Sequence, residues 1–145
     1  MRENVATESI YHPWRVLGRD WPHVQLEHTD DLPPGRRADT NGVDEIRMRR
    51  RLLQVERRCS LTHELIHLER GDTGACAPAV EAVVNREAAR RLISWEQLLT
   101  AVRWARSEQE VADELWVTLP ILQARAETLH ADELVALARA SWAPE

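Results

Sequence analysis

The spacing of the hydrophobic residues changes at Arg51, and this change limits the folds that the chain can adopt. Before Arg51, Val24 and Leu26 alternate with polar residues as in a half-buried strand, and Asn41-Gly42 is typical of a two-residue hairpin turn. After Arg51, hydrophobic residues recur at helical spacing: Leu52, Leu53, Val55, Cys59, Leu61, Leu65, Ile66 and Leu68. The pattern predicts an α+β fold with a small antiparallel sheet packed on helices.

Helices are predicted for the rest of the chain. Pro78 suits the first turn of a second helix that runs through Leu92, and Ser94 stands where the N-cap of a third helix belongs. The length of 145 residues fits one compact domain with a small helical appendage. We therefore divide the chain into residues 1–93 and a helical C-terminal subdomain, residues 94–145. Its tryptophans are expected to lie mostly in the core: Trp95, Trp104, Trp116 and Trp142.

The first predicted helix carries the segment HELIH, residues 63–67. Positions i and i+4 share one face of a helix, so His63 and His67 present two imidazoles one turn apart. This spacing suits a tetrahedral Zn²⁺ ion. Glu64 lies on the same side of a cleft, where it can act as a general base on a zinc-bound water.

A catalytic zinc site needs a third protein ligand and one open position. Glu69 and Asp72 lie too near the end of the first helix to fold back easily. Glu81 shares a face of the second helix with Asn85, Ala88 and Leu92, and the small residue on that face allows close helix packing. Glu87 lies off this face among arginines. The pattern favours Glu81 as the third ligand, with Glu87 as the alternative.

The site also needs a residue that supports a ligand histidine and a donor that stabilises the oxyanion. Asn85 follows Glu81 by one helical turn and could support a ligand histidine from behind. Stabilisation of the oxyanion normally needs an extra donor, and the sequence does not choose among Tyr11, His12, His23, His28 and His130.

The segment HELIH followed by EAVVNREAARRLI resembles the ImmA/IrrE metallopeptidases. These have a zinc-binding helix and then a second helix that carries a Glu and, four residues later, an Asn or Asp. A pair of small residues and then aliphatic residues follow on the second helix. Glu81, Asn85, Ala88-Ala89 and Leu92-Ile93 stand in those places, and the resemblance covers residues 40–93. It implies that residues 1–93 form a zincin-like metallopeptidase domain. It also implies that the substrate is a transcriptional repressor, often of helix-turn-helix type, of a phage or mobile element.

A binding module is the rival interpretation. Residues 107–129 read as helix, short turn and helix, which resembles a helix-turn-helix able to enter the major groove of DNA. The second of these helices offers only Gln123 and Arg125 as base readers, beside Glu127. DNA readers usually carry more positive charge, and the formal net charge of −5 gives no global attraction to nucleic acid. In this interpretation the zinc site would be structural or inactive.

The cysteines and the hydropathy indicate the compartment. Cys59 and Cys76 are too few for a disulfide framework, and no apolar secretion signal or membrane span is evident. The chain is expected to be cytoplasmic, with reduced thiols and no membrane partner. Cys59 lies one turn before His63 and is expected to be a small buried side chain rather than a ligand.

Overall fold

The computed structural model describes residues 10–74 and 76–141. In chain order these residues form α1 (Pro13–Asp20), β1 (Gln25–Thr29), β2 (Ala38–Thr40), β3 (Glu45–Arg49), α2 (Gln54–Arg70), α3 (Pro78–Leu92), α4 (Trp95–Trp104), α5 (Glu108–Leu115), α6 (Leu119–Glu127) and α7 (Ala131–Ala140). The predicted α+β class is confirmed. No helix within the described part of the chain is both long and apolar enough to cross a membrane.

The sheet has the strand order β1-β3-β2 and is mixed. β2 and β3 form the predicted antiparallel hairpin, but β1 runs parallel to β3, so the prediction of an antiparallel sheet is wrong for this pair. The parallel pairing arises because residues 30–37 carry the chain from β1 across to the far edge of the sheet, where β2 lies. The hairpin then returns β3 to the position between β1 and β2. Strand alternation does not reveal such a crossing, because it is the same in both kinds of pairing.

The hairpin turn spans four residues rather than two. The Asn41 side chain organises it, because its Oδ1 accepts hydrogen bonds from the backbone N–H groups of Val43, Asp44 and Glu45 at 2.9–3.0 Å. Only Gly42 has a positive φ, at 75°. The Asn-Gly pair therefore marks the turn correctly, but Asn acts through its side chain rather than through a left-handed backbone.

α2 is buried on two sides and open to a cleft on a third. At its start the Glu56 carboxylate accepts a hydrogen bond from the Leu53 N–H at 2.9 Å, and Gly71 ends it with a left-handed φ of 72°. One side packs against the sheet in a cluster formed by Val24, Ile46, Met48, Leu61, Leu65 and Leu68. The other side contributes Cys59 and Ile66 to a larger cluster with the C-terminal helices.

The larger cluster crosses the boundary between residues 93 and 94. Val84 and Leu92 of α3 share it with Leu98 of α4 and with Ile121 and Ala124 of α6. The two segments of the chain thus have one hydrophobic core in common.

The expectation for the tryptophans is only partly met. Trp95 packs against the larger cluster, whereas Trp104 is 76% exposed and Trp116 is 51% exposed. Trp104 lies at the last position of its helix and Trp116 in the turn after the next helix, so both are carried away from the packed faces. Trp142 lies outside the described residues.

Arg58 joins three parts of the molecule. Its buried guanidinium donates hydrogen bonds to the carbonyl oxygen of Trp116 at 2.7 Å and to that of Tyr11 at 3.3 Å. It also lies 5.7 Å from the centroid of the Trp116 ring, within the range of a cation–π contact. α2 is thereby attached to the turn between α5 and α6.

Candidate metal centre

The two histidines of α2 face each other across one helical turn. Their rings meet at an interplanar angle of 68°, and the two Nε2 atoms are 3.1 Å apart. His67 is buried and His63 is half-buried, so the pair lies at the bottom of the cleft rather than on an open surface. The helical spacing predicts this pairing, and the structure places both imidazoles as expected.

Glu81 completes a triangle of ligand atoms. Its Oε2 lies 2.7 Å from His63 Nε2, and its Oε1 lies 3.2 Å from His67 Nε2. Two ligands of a tetrahedral Zn²⁺ ion at 2.0–2.1 Å from the metal are about 3.3 Å apart. The separations of 3.1 and 3.2 Å at His67 Nε2 are close to this value, whereas the contact of 2.7 Å between His63 and Glu81 is shorter and must open for a metal to enter. The three residues form a group able to hold a metal ion.

The packing of α3 explains how Glu81 reaches the histidines. Val84, Ala88 and Ala89 are completely buried, and the two alanines leave room for α3 to lie close to its neighbours. Glu87 points elsewhere: its carboxylate pairs with Arg91 at 3.2 Å and with Arg90 at 3.5 Å. The geometry therefore brings Glu81, and not Glu87, to the histidine pair.

Asp72 lies behind His67, where sequence reasoning placed no supporting residue. Gly71 turns the chain back after α2, and the Asp72 carboxylate lies 2.9 Å from His67 Nδ1. This hydrogen bond, with a second one from Arg70 at 2.8 Å, holds the pKa of Asp72 below its ordinary value. A glycine directly before an acidic residue at the end of the metal helix is the signal that could have found it.

The hydrogen bond to Asp72 decides the tautomer of His67. A neutral imidazole carries one N–H, and His67 uses it at Nδ1 toward the carboxylate. Its Nε2 then presents a bare lone pair toward His63 Nε2 at 3.1 Å and Glu81 Oε1 at 3.2 Å. A carboxylate can only accept, so the contact of 2.7 Å makes His63 Nε2 the donor to Glu81 Oε2. The contact between His67 Nε2 and Glu81 Oε1 pairs two acceptors, and a cation that displaced the His63 proton would remove their repulsion. The donor set therefore fits a metal ion.

Asn85 lies beside His63, as expected for a supporting residue. Its hydrogen bond favours the protonated form of His63, as does the Glu81 carboxylate. Burial outweighs both, and the pKa of His63 falls below its ordinary value. The balance keeps this imidazole neutral, which is the form that binds a metal.

Glu64 is only 6% exposed but lines the same cleft as the histidines. Burial raises its pKa to about 7. A carboxyl with this pKa can both accept and release a proton near neutral pH. Its position one residue after His63 places it in the cleft with the three candidate ligands.

The cleft has a volume of about 840 Å³. The loop of residues 35–37 and strand β2 form one wall, α2 and α3 form the floor, and α6 forms the opposite wall through Ile121, Gln123 and Ala124. None of the five candidate oxyanion donors, Tyr11, His12, His23, His28 and His130, is among the lining residues.

The two candidate base readers of α6 have different surroundings. Gln123 lines the cleft, whereas Arg125 donates hydrogen bonds to the Ile93 carbonyl at 2.8 Å and to Thr128 Oγ1 at 2.7 Å. The Arg125 guanidinium is thus engaged within the molecule. The two residues do not form one surface that could read a row of bases.

Comparison of the chain with protein-family models, with curated proteins and with solved structures found no match.

Proposed function

We propose that the protein is a zinc-dependent metallo-endopeptidase. The observation that carries the proposal is the convergence of three ligand atoms from His63, His67 and Glu81 beside a buried carboxyl in one cleft. Two nitrogens and one oxygen are a donor set found in catalytic zinc sites, which keep a fourth position open. A fully protein-bound structural site would need a fourth side chain at this point.

Each residue has a distinct role in this proposal. His63, His67 and Glu81 hold the metal, and Asp72 and Asn85 fix the orientation of the two rings. The bound zinc ion supplies Lewis acidity, which activates water and polarises a peptide carbonyl. Glu64 accepts the proton of the attacking water and delivers it to the leaving amine. The positive charge of a bound cation favours the carboxylate form that this first step requires.

The cleft suits an extended peptide. Among the described strands β2 pairs only with β3, so its other edge has no strand partner, and its residues line the cleft. An extended chain can add to such an edge through main-chain hydrogen bonds, which positions a peptide bond with little dependence on side chains. Specificity would then come from the loop of residues 35–37 and from α6.

The substrate class follows from the resemblance to the ImmA/IrrE metallopeptidases. We propose that the peptide belongs to a transcriptional repressor, of helix-turn-helix type, from a phage or mobile element. Such a substrate requires a cytoplasmic enzyme, and the two free cysteines are compatible with that compartment.

The first test is the metal content of the purified protein and of three variants. We expect about one zinc per chain in the wild type, loss of zinc in His63→Ala and Glu81→Ala, and retention in Glu87→Ala. Glu87→Ala is the matched control, because it removes a carboxylate from the same helix outside the ligand triangle. A wild-type protein without metal, or zinc lost equally in Glu87→Ala, would overturn the proposed centre.

The second test separates a peptidase from a binding protein. Glu64→Gln keeps the side-chain volume and should keep zinc, but it cannot accept a proton. We expect the wild type to cleave a library of fluorescence-quenched peptides and Glu64→Gln to be slower by at least about 10²-fold. Equal cleavage by both proteins would exclude Glu64 as the general base.

A further inference from the structure

A second group of metal-ligating atoms lies behind His67, on the side of the ring away from Glu81. It consists of His67 Nδ1, the Asp72 carboxylate and the Cys76 thiol. Asp72 Oδ2 is 2.9 Å and Cys76 Sγ is 3.9 Å from His67 Nδ1, and the ligand atoms of all three residues lie within 4.8 Å of one another. Nitrogen and sulfur ligands of one tetrahedral zinc ion are about 3.6 Å apart. The observed nitrogen–sulfur distance needs only a small adjustment to reach it.

The electrostatic surroundings of this group favour a cation. Glu64 and Glu81 add negative charge near the Cys76 thiol, in addition to Asp72 itself. Arg70 is the opposing charge, and it donates to the same Asp72 oxygen that lies against His67. Within residues 10–74 and 76–141, the other carboxylate oxygen of Asp72 has no such donor and remains for a metal. Asp72 and Cys76 are both half-buried, so an ion can enter from the solvent.

We propose that His67 Nδ1, Asp72 and Cys76 form a second, weaker site for a thiophilic divalent cation such as Zn²⁺ or Cd²⁺. Binding displaces the Nδ1 proton and the thiol proton, and both pass to the solvent. His67 then bridges two cations through its two nitrogens. The two cations repel each other, so the second ion binds with lower affinity than the first. This site therefore fills only when metal is in excess.

The consequence for the first centre is inhibition by excess metal. The second ion takes the place of the Nδ1 hydrogen bond that orients His67, and its positive charge repels the first ion. Both effects weaken the hold of His67 on the first ion. This regulatory meaning rests on the proposed peptidase function, whereas the binding of a second ion does not.

Cobalt titration tests the binding directly. A thiolate bound to Co²⁺ gives a charge-transfer absorption in the near ultraviolet that nitrogen and oxygen ligands do not give. We expect two equivalents of Co²⁺ per chain in the wild type, with the thiolate absorption developing only with the second. Cys76→Ser should bind one equivalent without this absorption. Cys59→Ala is the matched control and should behave as the wild type, because Cys59 is buried in the core.

The outcomes separate the two proposals. One equivalent without thiolate absorption in the wild type overturns the second site and leaves the first intact. One equivalent with thiolate absorption also overturns it, because Cys76 then belongs to the first centre. Thiolate absorption that persists in Cys76→Ser overturns it as well. Failure of the first centre is recognised separately, by an unchanged cobalt content in Glu81→Ala.

Inhibition is tested with the peptide library. Excess Zn²⁺ should inhibit the wild type, and Cys76→Ser should need at least about tenfold more Zn²⁺ for the same inhibition. Identical inhibition curves for the two proteins would overturn the regulatory role of this site.

Discussion

Replacement of Gly42 by alanine tests whether the hairpin turn supports the metal centre. Gly42 lies in the turn between β2 and β3, and its φ is 75°. A Cβ atom added there would lie 2.1 Å from the carbonyl oxygen of Asp72 and 2.8 Å from its carbonyl carbon. The obstacle is backbone and cannot rotate away. The turn therefore packs directly against the residue whose carboxylate orients His67.

The expected cost has two parts. A left-handed backbone at a residue other than glycine costs about 1–2 kcal/mol. The clash requires the Asp72 backbone or the turn to move by about 1 Å before contact distances become acceptable, and overpacking of this kind costs about 1–3 kcal/mol. The total of about 2–5 kcal/mol corresponds to a decrease in Tm of about 6–15 °C for a chain of this length.

Gly35→Ala is the matched control for the backbone part. Gly35 has a φ of 80°, but nothing lies within 4 Å of its added Cβ atom. We expect a decrease in Tm of only about 3–6 °C. Calorimetry measures the Tm of both variants, and competition with a chelator measures their zinc affinity. Only Gly42→Ala should also bind zinc more weakly, by about 10–100-fold. Equal destabilisation of the two variants, or unchanged zinc affinity in Gly42→Ala, would refute the coupling between the turn and Asp72.

Three further variants probe the centre and its surroundings. Asp72→Ala should weaken zinc binding about 10–100-fold, because His67 loses the acceptor at Nδ1; chelator competition measures this. Ser94→Ala removes the oxygen that accepts the Gln97 N–H at the start of α4, and it should reduce the free energy of unfolding in urea by about 1 kcal/mol. In metal-free protein the pKa of Glu64 is raised from its ordinary value of 4.5 to about 7. The neutral Glu64 carboxyl therefore contributes stability fully below pH 4.5, and this contribution is lost as the pH rises through 7. The stability of the wild type relative to Glu64→Gln should therefore fall by about 2–3 kcal/mol from pH 5 to pH 8.

Each of these predictions has its own control. Asp72→Asn keeps an acceptor oxygen and should lose less zinc affinity than Asp72→Ala; the reverse order would contradict the hydrogen-bond argument. Thr100→Ala changes an exposed position within α4 and should not destabilise the protein, so a loss as large as that of Ser94→Ala would contradict the cap. A pH-independent difference between the wild type and Glu64→Gln would show that burial does not raise this pKa.

Local patterns in the sequence predicted the parts of the site that a single helix determines. The i, i+4 spacing predicted the meeting of His63 and His67, and the shared face of Glu81 and Ala88 favoured the acid that the structure places beside them. Asp72 was missed because its position depends on how the chain turns after Gly71, and helical periodicity says nothing about residues beyond the end of a helix. The parallel pairing of β1 with β3 was missed for a similar reason. The alternation of hydrophobic and polar residues in a strand does not determine the path of the loop before β2.

The C-terminal helices show most clearly where sequence patterns are insufficient. Residues 107–129 read as a helix-turn-helix, but the same pattern of apolar positions serves any helix that packs on one side. In the structure α6 packs on α3, and its Gln123 lines the cleft opposite the histidines. Arg125 binds the Ile93 carbonyl where α3 ends, so it fastens α6 to the helix that carries Glu81. A helix fixed in this way by its charged residue has little freedom to enter a DNA groove, and it is well placed to contact whatever occupies the cleft.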